Sequence, residues 1–359
     1  VSRHELKEVV ARRDHRKPHK GTRESPASST GPPPTTLESG SPDEPATISV
    51  VVPSFGRPDD LVGCVKAILS QAVPPLEILV VLRDDDIESR RALSDAKAQV
   101  RIVEVDRPGQ VAALNAGRAA ARGAVLAFTD DDARPRTCWT QEIRHRFSTD
   151  AAIGAVGGQD IVHRDGRVLT GRTTHIGRIL RSGRLRGLHH FESTLQDVSF
   201  LKGANMAYRA TALQGFDESL WGSGAQVCND LEASLSVRVR GWRVVWDPRV
   251  QVDHFMKPRV GNDQRDSRTL EAERAHAHND LYVLLKHLPL SRAPFVITYR
   301  IMIGYRHLPG LLLTLAGGGL QHGPTLRIRR VLALTSARFD AIGTAWRYRR
   351  KRRRSGPVN

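Results

Sequence analysis

Apolar positions along this chain fall into two alternating textures. Ile48–Val52 (ISVVV) is a short continuous apolar run, which predicts a strand covered on both faces. Pro58, Asp59 and Asp60 then open a helix whose apolar positions Leu61, Val65, Ile68, Leu69 and Ala72 follow helical spacing. Leu76–Leu82 (LEILVVL) predicts a second strand and Val100–Val105 a third. Gly109 leads into an Ala-rich helix through Val111, Leu114 and Arg118. Ala124–Phe128 predicts a fourth strand, and Trp139, Ile143 and Phe147 mark another helix. Strands alternating with helices at this pace imply an α/β fold, a doubly wound, mostly parallel sheet flanked by helices. Ligands of such sheets sit beyond the carboxyl ends of the strands. That rule singles out Pro53–Arg57, Arg83–Asp86 and Thr129–Asp132, and two of these stretches are loaded with carboxylates.

After Ile153 the alternation weakens. Gly157–Arg186 is rich in Gly, Arg and His and reads as a loop region. A strand within Phe200–Tyr208 and a helix over Leu231–Arg240 are expected next, then strands at Arg243–Trp246 and Val250–Val252. Beyond Arg259 the pattern is helical, with Leu281, Leu284, Leu285 and Leu288 on one stripe. Residues 1–46 hold seven prolines from Pro18 to Pro45 among Ser, Thr, Lys and Arg. With so few large apolar side chains they cannot offset the entropy of ordering, so disorder is expected there. The chain thus divides into this N-terminal segment, an α/β domain over 47–260, a helical basic C-terminal extension over 261–340 and a basic tail over 341–359.

Charge sharpens this picture. Lys and Arg total 55 against 38 Asp and Glu, a net +17 that points to a polyanionic partner: nucleic acid, an anionic membrane surface or a phosphate-bearing substrate. No helix-turn-helix, zinc-finger or RNA-recognition signature is present. Aromatic residues make up only 5%, too few for an obvious base-stacking platform, so no nucleic-acid partner is expected. Cys64, Cys138 and Cys228 stand far apart, which excludes a disulfide framework and a structural zinc site. The opening residues lack the apolar run of a signal peptide, and no stretch reaches the ~18 apolar residues of a membrane span. A cytoplasmic location is expected. Leu308–Leu315 with its flanking arginines, followed by the cationic Arg347–Arg354, suits a segment lying on an anionic inner leaflet; a helical cap with a solvated tail fits as well.

Asp130, Asp131 and Asp132 carry the most chemical information. Three consecutive carboxylates raise one another's pKa unless a cation neutralises them. Directly after an apolar strand, such hard oxygen ligands suit Mg²⁺ or Mn²⁺ beside substrate phosphates. Asp84, Asp85 and Asp86 end the second strand, where a carboxylate accepts hydrogen bonds from a nucleobase or ribose, or else caps the next helix. Asp230 opens a helix, as a cap or as a general base. His254 follows a strand, and the neighbouring Asp253 is a candidate to fix its tautomer for a metal-ligand role.

Taken in order, ISVVVPSFGRPDDLVGCVKAILSQ, GQVAALNAGRAAARGAVLAFTDDDARP and KGANMAYRATALQGFDESLWGSGAQVCNDLEASLSVRVRGWRVVWDPRVQVDHF resemble the family 2 glycosyltransferases over Thr47 to Met256. The resemblance implies the A-type glycosyltransferase fold, with 47–135 as the nucleotide-sugar half and 136–260 as the acceptor half. It implies a metal-dependent, inverting transfer of a sugar from a nucleotide-diphosphate donor to an acceptor hydroxyl on a glycan or lipid-linked acceptor, in polysaccharide or cell-surface glycan synthesis. By this resemblance Asp130 and Asp132 match the Asp-x-Asp motif and, with His254, would hold Mn²⁺ or Mg²⁺. Pro53, Phe55, Arg57 and the Asp84–Asp86 cluster, with Asp130 and Asp131, would meet the donor nucleotide. Asp230 matches the base, and Gly203, Asn205, Trp221 and Asn229 are expected around the sugar or acceptor. Two departures stand out: Asn229 occupies the place of the family's Glu before the base, and RDDD replaces the usual Asp-Asp-Gly-Ser ending of strand two. A non-catalytic nucleotide-sugar-binding homologue is the alternative within the same fold, and a basic nucleic-acid-binding protein the alternative outside it.

Overall fold

The computed structural model describes residues 46–94, 99–256, 269–316 and 324–354. The expected N-terminal segment to residue 45 and the end of the tail from residue 355 lie outside the described residues.

The first half builds as its patterning predicts. Strand β1 (Ile48–Ser54), helix α1 (Pro58–Leu69), β2 (Glu77–Arg83), α2 (Ile87–Ala92), β3 (Arg101–Val105), α3 (Gln110–Ala120) and β4 (Val125–Phe128) follow one another. β1 pairs in parallel with both β2 and β4, and β2 with β3. Alternate residues of the continuous apolar runs serve opposite faces. Val51, Leu79 and Val81 join one core cluster, whereas Val50, Val52, Ile78, Val80 and Leu82 join the other. A sheet buried on both sides needs apolar side chains at every position, which is why these strands read as runs.

The chain continues through β5 (Ala133–Pro135), α4 (Trp139–Thr149), β6 (Ile153–Arg164), the short β7 (Arg167–Val168), β8 (Arg178–Ile179), β9 (Leu185–Arg186) and β10 (Gln196–Asp197), then β11 (Met206–Arg209), α5 (Asn229–Arg238) and β12 (Arg243–Phe255). The main sheet runs β10-β12-β6-β11-β4-β1-β2-β3. It is parallel from β4 to β3 and between β12 and β6, with antiparallel β11 joining the two parts. The α/β class with flanking helices is as the patterning implied, but the sheet is mixed rather than mostly parallel, because β11, β10, β5 and β7 all pair antiparallel.

The loop expected from Gly157 is corrected over its first part. Gly157 and Gly158 lie inside β6, a twelve-residue strand between β12 and β11 in the sheet. Their glycines mark close backbone approach. A Cβ on Gly158 would stand 1.8 Å from the Val250 carbonyl oxygen, where β12 bulges between Asp247 and Gln251. That bulge also merges the two short strands expected at Arg243–Trp246 and Val250–Val252 into one.

The C-terminal region is likewise not an appendage. Helix α6 (Leu270–His287) buries Leu281, Leu284 and Leu285 in the same cluster as Phe128 and Trp246. Lys286 on this helix reaches both Asp217 and Glu232 at 2.7 Å, fastening it to the α/β body. After α7 (Ala293–Thr298), a π-helical turn (Tyr299–Ile303) and α8 (Leu311–Leu315), the long helix α9 (Pro324–Arg354) packs along α6. Ala341 and Ala345 of α9 enter the main core, so the boundary expected at residue 340 falls inside a helix. The cationic stretch Arg347–Arg354 is the end of that helix.

The β6–β12 crossing yields a stability prediction. Gly158→Ala should lower stability by about 3 kcal/mol, because the backbone rather than a flexible side chain would have to yield. Urea unfolding measures this, and a midpoint equal to that of the parent would show that the crossing has slack.

Candidate active site

Strand β4 delivers the acidic triplet to the carboxyl edge of the sheet, and the three side chains part ways there. Asp131 turns inward, where its carboxylate accepts from Ser54 Oγ at 2.8 Å and from Arg57 at 2.9 Å. Asp132 is fully buried and also receives Arg57, at 3.2 Å. Asp130 is half-buried, with Gln110 Nε2 3.5 Å away. The pairing of β5 with β12 sets Ala133 opposite His254, which brings the imidazole to the triplet. His254 Nε2 lies 3.1 Å from Asp132 Oδ1, and its Nδ1 lies 3.0 Å from Asp160 Oδ1 on β6. One ligand atom each from Asp130, Asp132 and His254 lie within 4.8 Å of one another.

Electrostatics explains the arrangement. Burial pushes the Asp131 carboxyl up to about 6 against the pull of Arg57, with Asp132 adding to the rise. Burial pushes the His254 imidazole down, but Asp160 and Asp132 outweigh it and carry the ring to about 10. Burial also raises Asp160, yet the facing His254 holds this carboxyl below its usual range, so it stays ionised. An ionised Asp160 keeps the proton on Nδ1 and turns the Nε2 lone pair toward Asp132 whenever the ring is neutral. Two carboxylates and one oriented imidazole are a donor set that fits Mn²⁺ or Mg²⁺. The tautomer-fixing partner is therefore Asp160 rather than Asp253. Adjacent strand residues point to opposite faces, and Asp253 instead pairs with Arg136 at 2.7 Å and His163 at 2.8 Å.

A cavity of about 480 Å³ opens over the triplet. Pro53, Phe55 and Arg57 from the end of β1 line it, together with Arg83 from the end of β2, whose guanidinium stacks 4.3 Å over the Phe55 ring. Asp84, Asp85 and Asp86, expected to meet the nucleotide, are not among its lining residues. Asp86 is buried and accepts from Ser89 N as the cap of α2 and from Gly56 N at 2.8 Å. Asp85 pairs with Arg83, and Asp84 accepts from the Asp85 amide. The RDDD stretch serves the cavity through its arginine.

The far wall is the loop Trp221–Val227 with Thr269, Glu271, Ala272 and Ala275 at the start of α6. Asn279 of α6 clamps this loop, accepting from Trp221 N at 2.8 Å and donating to the carbonyls of Trp221 and Val227. The Trp221 ring stacks 3.9 Å from His278. Asn229 is buried, and its amide donates to Gln110 Oε1 and to the carbonyls of Ala225 and Gln226. The two N–H groups of this amide are shared among the three acceptors, and an ionised Glu could donate to none of them, which accounts for the amide at this position. Asn205, expected near the sugar, is turned inward and held by Trp139 Nε1, Val250 O and Gln159 O. Asp230 stands at the start of α5, accepting from Gly203 N at 3.3 Å with Lys202 at 3.6 Å. Through Asn229 and Gln110 this helix start is tied to Asp130.

Among the residues that sequence reasoning missed, Gln110 and Arg83 carried a signal, since both sit at strand or helix ends on the ligand edge. Asp160 carried none, being hidden in a stretch read as loop. Asn279 and the α6 wall lie too far along the chain to be linked to the site by spacing.

The model of glycosyl transferase family 2 matches residues 49–216. The glycosyltransferase AglE of Haloferax volcanii is 33% identical over 100 residues, covering 26% of this chain and 33% of that protein. The succinoglycan biosynthesis protein ExoO of Rhizobium meliloti is 32% identical over 130 residues, covering 35% of this chain and 37% of that one. The matches thus span about a third of the length of these curated relatives. Among solved structures, a mannosyltransferase from Pyrobaculum calidifontis in complex with GDP-Man and Mn²⁺ superposes at a TM-score of 0.49 and 18% identity, over 86% of this chain and 88% of that one.

If His254 is a metal ligand, Mn²⁺ has to displace its proton, because a metal needs the neutral imidazole, and apparent affinity should rise with pH up to about 10. Calorimetry in buffers of different ionisation heat should read about one proton released per ion near neutral pH. Asp160→Asn, which removes one of the two carboxylates holding that proton, should release fewer and flatten the pH dependence. Identical proton release in both proteins would separate Asp160 from the metal site.

Proposed function

We propose, from the match of residues 49–216 to the glycosyl transferase family 2 model, that this chain is a metal-dependent, inverting glycosyltransferase. It takes a nucleotide-diphosphate sugar as donor and the hydroxyl of a glycan or lipid-linked acceptor. The observation that carries the reading is the convergence of Asp130, Asp132 and His254, of which the two carboxylates line a cavity large enough for a nucleotide.

In this reading Asp130, Asp132 and His254 hold Mn²⁺ or Mg²⁺, which when bound supplies Lewis-acid stabilisation to the departing diphosphate. The donor nucleotide lies along Pro53 and Phe55, with Arg57 and Arg83 as the cationic groups of that wall. Asp230, on a helix start fixed by Gly203 and Asn229, accepts the proton of the attacking hydroxyl. Trp221, presented flat by its stack on His278, offers an apolar face to the acceptor. Attack from the Asp230 side, opposite the diphosphate, inverts the anomeric centre. The name of the Rhizobium relative supports a place in polysaccharide or cell-surface glycan synthesis. The free thiols Cys64, Cys138 and Cys228 suit a reducing cytoplasmic location.

A thermal-shift screen of nucleotide sugars with Mn²⁺ identifies the donor, since a ligand of the native state raises its apparent stability. With that donor, Asp230→Asn should lower turnover by about 10²–10⁴-fold while the thermal shift persists. Turnover near the parental rate would remove Asp230 from the base role. Transfer should also stop in EDTA and return with Mn²⁺ or Mg²⁺, and full activity in chelator would take the metal out of the mechanism.

A further inference from the structure

Helix α9 is apolar on two sides. Its inner side, Val331, Leu334, Ala337, Ala341 and Ala345, is buried against the body. Its outer side carries Ile328, Leu332, Phe339 and Trp346, which are 57%, 60%, 59% and 62% exposed. At 3.6 residues per turn these four fall within about 40° of one another, so they form a single stripe along the helix. A surface helix ordinarily turns polar residues outward, and an apolar stripe of this length marks a contact surface.

The cations of α9 divide in the same way. Arg330 pairs with Glu273 at 2.7 Å, Arg338 donates to the Leu308 and Pro309 carbonyls, and Arg349 donates to the Leu285 carbonyl. These three fasten the helix to the protein. Arg329, Arg347, Arg350 and the run from Lys351 to Arg354 are exposed, and Asp340 is the only acidic residue in the helix. The Arg350 guanidinium lies 5.5 Å over the ring of Trp346, joining the apolar stripe to the cationic end.

We propose that this outer face of α9 seats the protein on an anionic lipid surface, with Phe339 and Trp346 entering the headgroup boundary and the terminal arginines meeting lipid phosphates. Two features select lipid over a second copy of the chain. The stripe is flanked by cations that would repel their counterparts in a chain of net +17, whereas an anionic bilayer complements them. Tryptophan and phenylalanine beside arginine are also the combination suited to the water–hydrocarbon boundary. No helix among the described residues is long and apolar enough to cross a membrane, so the contact lies along the surface. This inference is independent of sugar transfer, because it rests on a helix outside the segment that matches the family.

Co-sedimentation of the full chain with vesicles tests it. The protein should pellet with phosphatidylglycerol-containing vesicles, stay in solution with pure phosphatidylcholine, and be released as salt is raised. The Phe339→Ser, Trp346→Ser double variant should lose roughly tenfold in partitioning while its unfolding temperature holds, since both side chains are exposed. Equal pelleting with both vesicle types, or undiminished partitioning of the double variant, would overturn the proposal. So would a concentration-dependent dimer that the double variant dissolves, because the stripe would then belong to a second copy.

Discussion

The site depends on compensating buried carboxylates at the end of a strand. Asp131 and Asp132 are almost wholly withdrawn from water, where an unpaired charge is costly. Arg57 spans both of them, and His254 stands between Asp132 and Asp160. The backbone ladder of β12 with β5 and β6 puts the imidazole in that place, so sheet register and site electrostatics are one constraint. The bulge beside Gly158 belongs to the same ladder, which links a packing detail of the sheet to the position of a candidate metal ligand.

A second dependence runs through the C-terminal helices. Asn279 holds the loop that forms the far wall of the cavity, and Lys286 ties the same helix to Asp217 and Glu232. Helix α9 then covers α6 on one side and turns its apolar stripe outward on the other. Residues beyond the family-matched segment thus complete the cavity as well as extending the protein. Asn229 shows how one side chain can absorb a departure from the family pattern: its amide shares two N–H groups among three acceptors, fixing the loop next to Asp230.

Much of this was legible in the sequence. Continuous apolar runs followed by short polar stretches determined the strands from Ile48 to Phe128 and their buried faces, because a sheet covered on both sides leaves no choice of residue type. The same logic located Asp130 and Asp132 at the ligand edge. The order of motifs carried the resemblance to the family whose model matches residues 49–216.

Only the tertiary structure decided which groups meet. Asp84, Asp85 and Asp86 looked equivalent to the acidic triplet, yet Asp86 is drawn into a helix cap and Arg83 faces the cavity in their stead. Asp253 adjoins His254 in sequence but points to the other face of the strand, while Asp160, far away along the chain, completes the imidazole's hydrogen bonding. Glycines at 157 and 158 suggested a loop and instead mark close approach of two strands. Local pattern determines what each segment becomes; register and packing, which depend on contacts distant in sequence, determine which charges are brought within reach of one another.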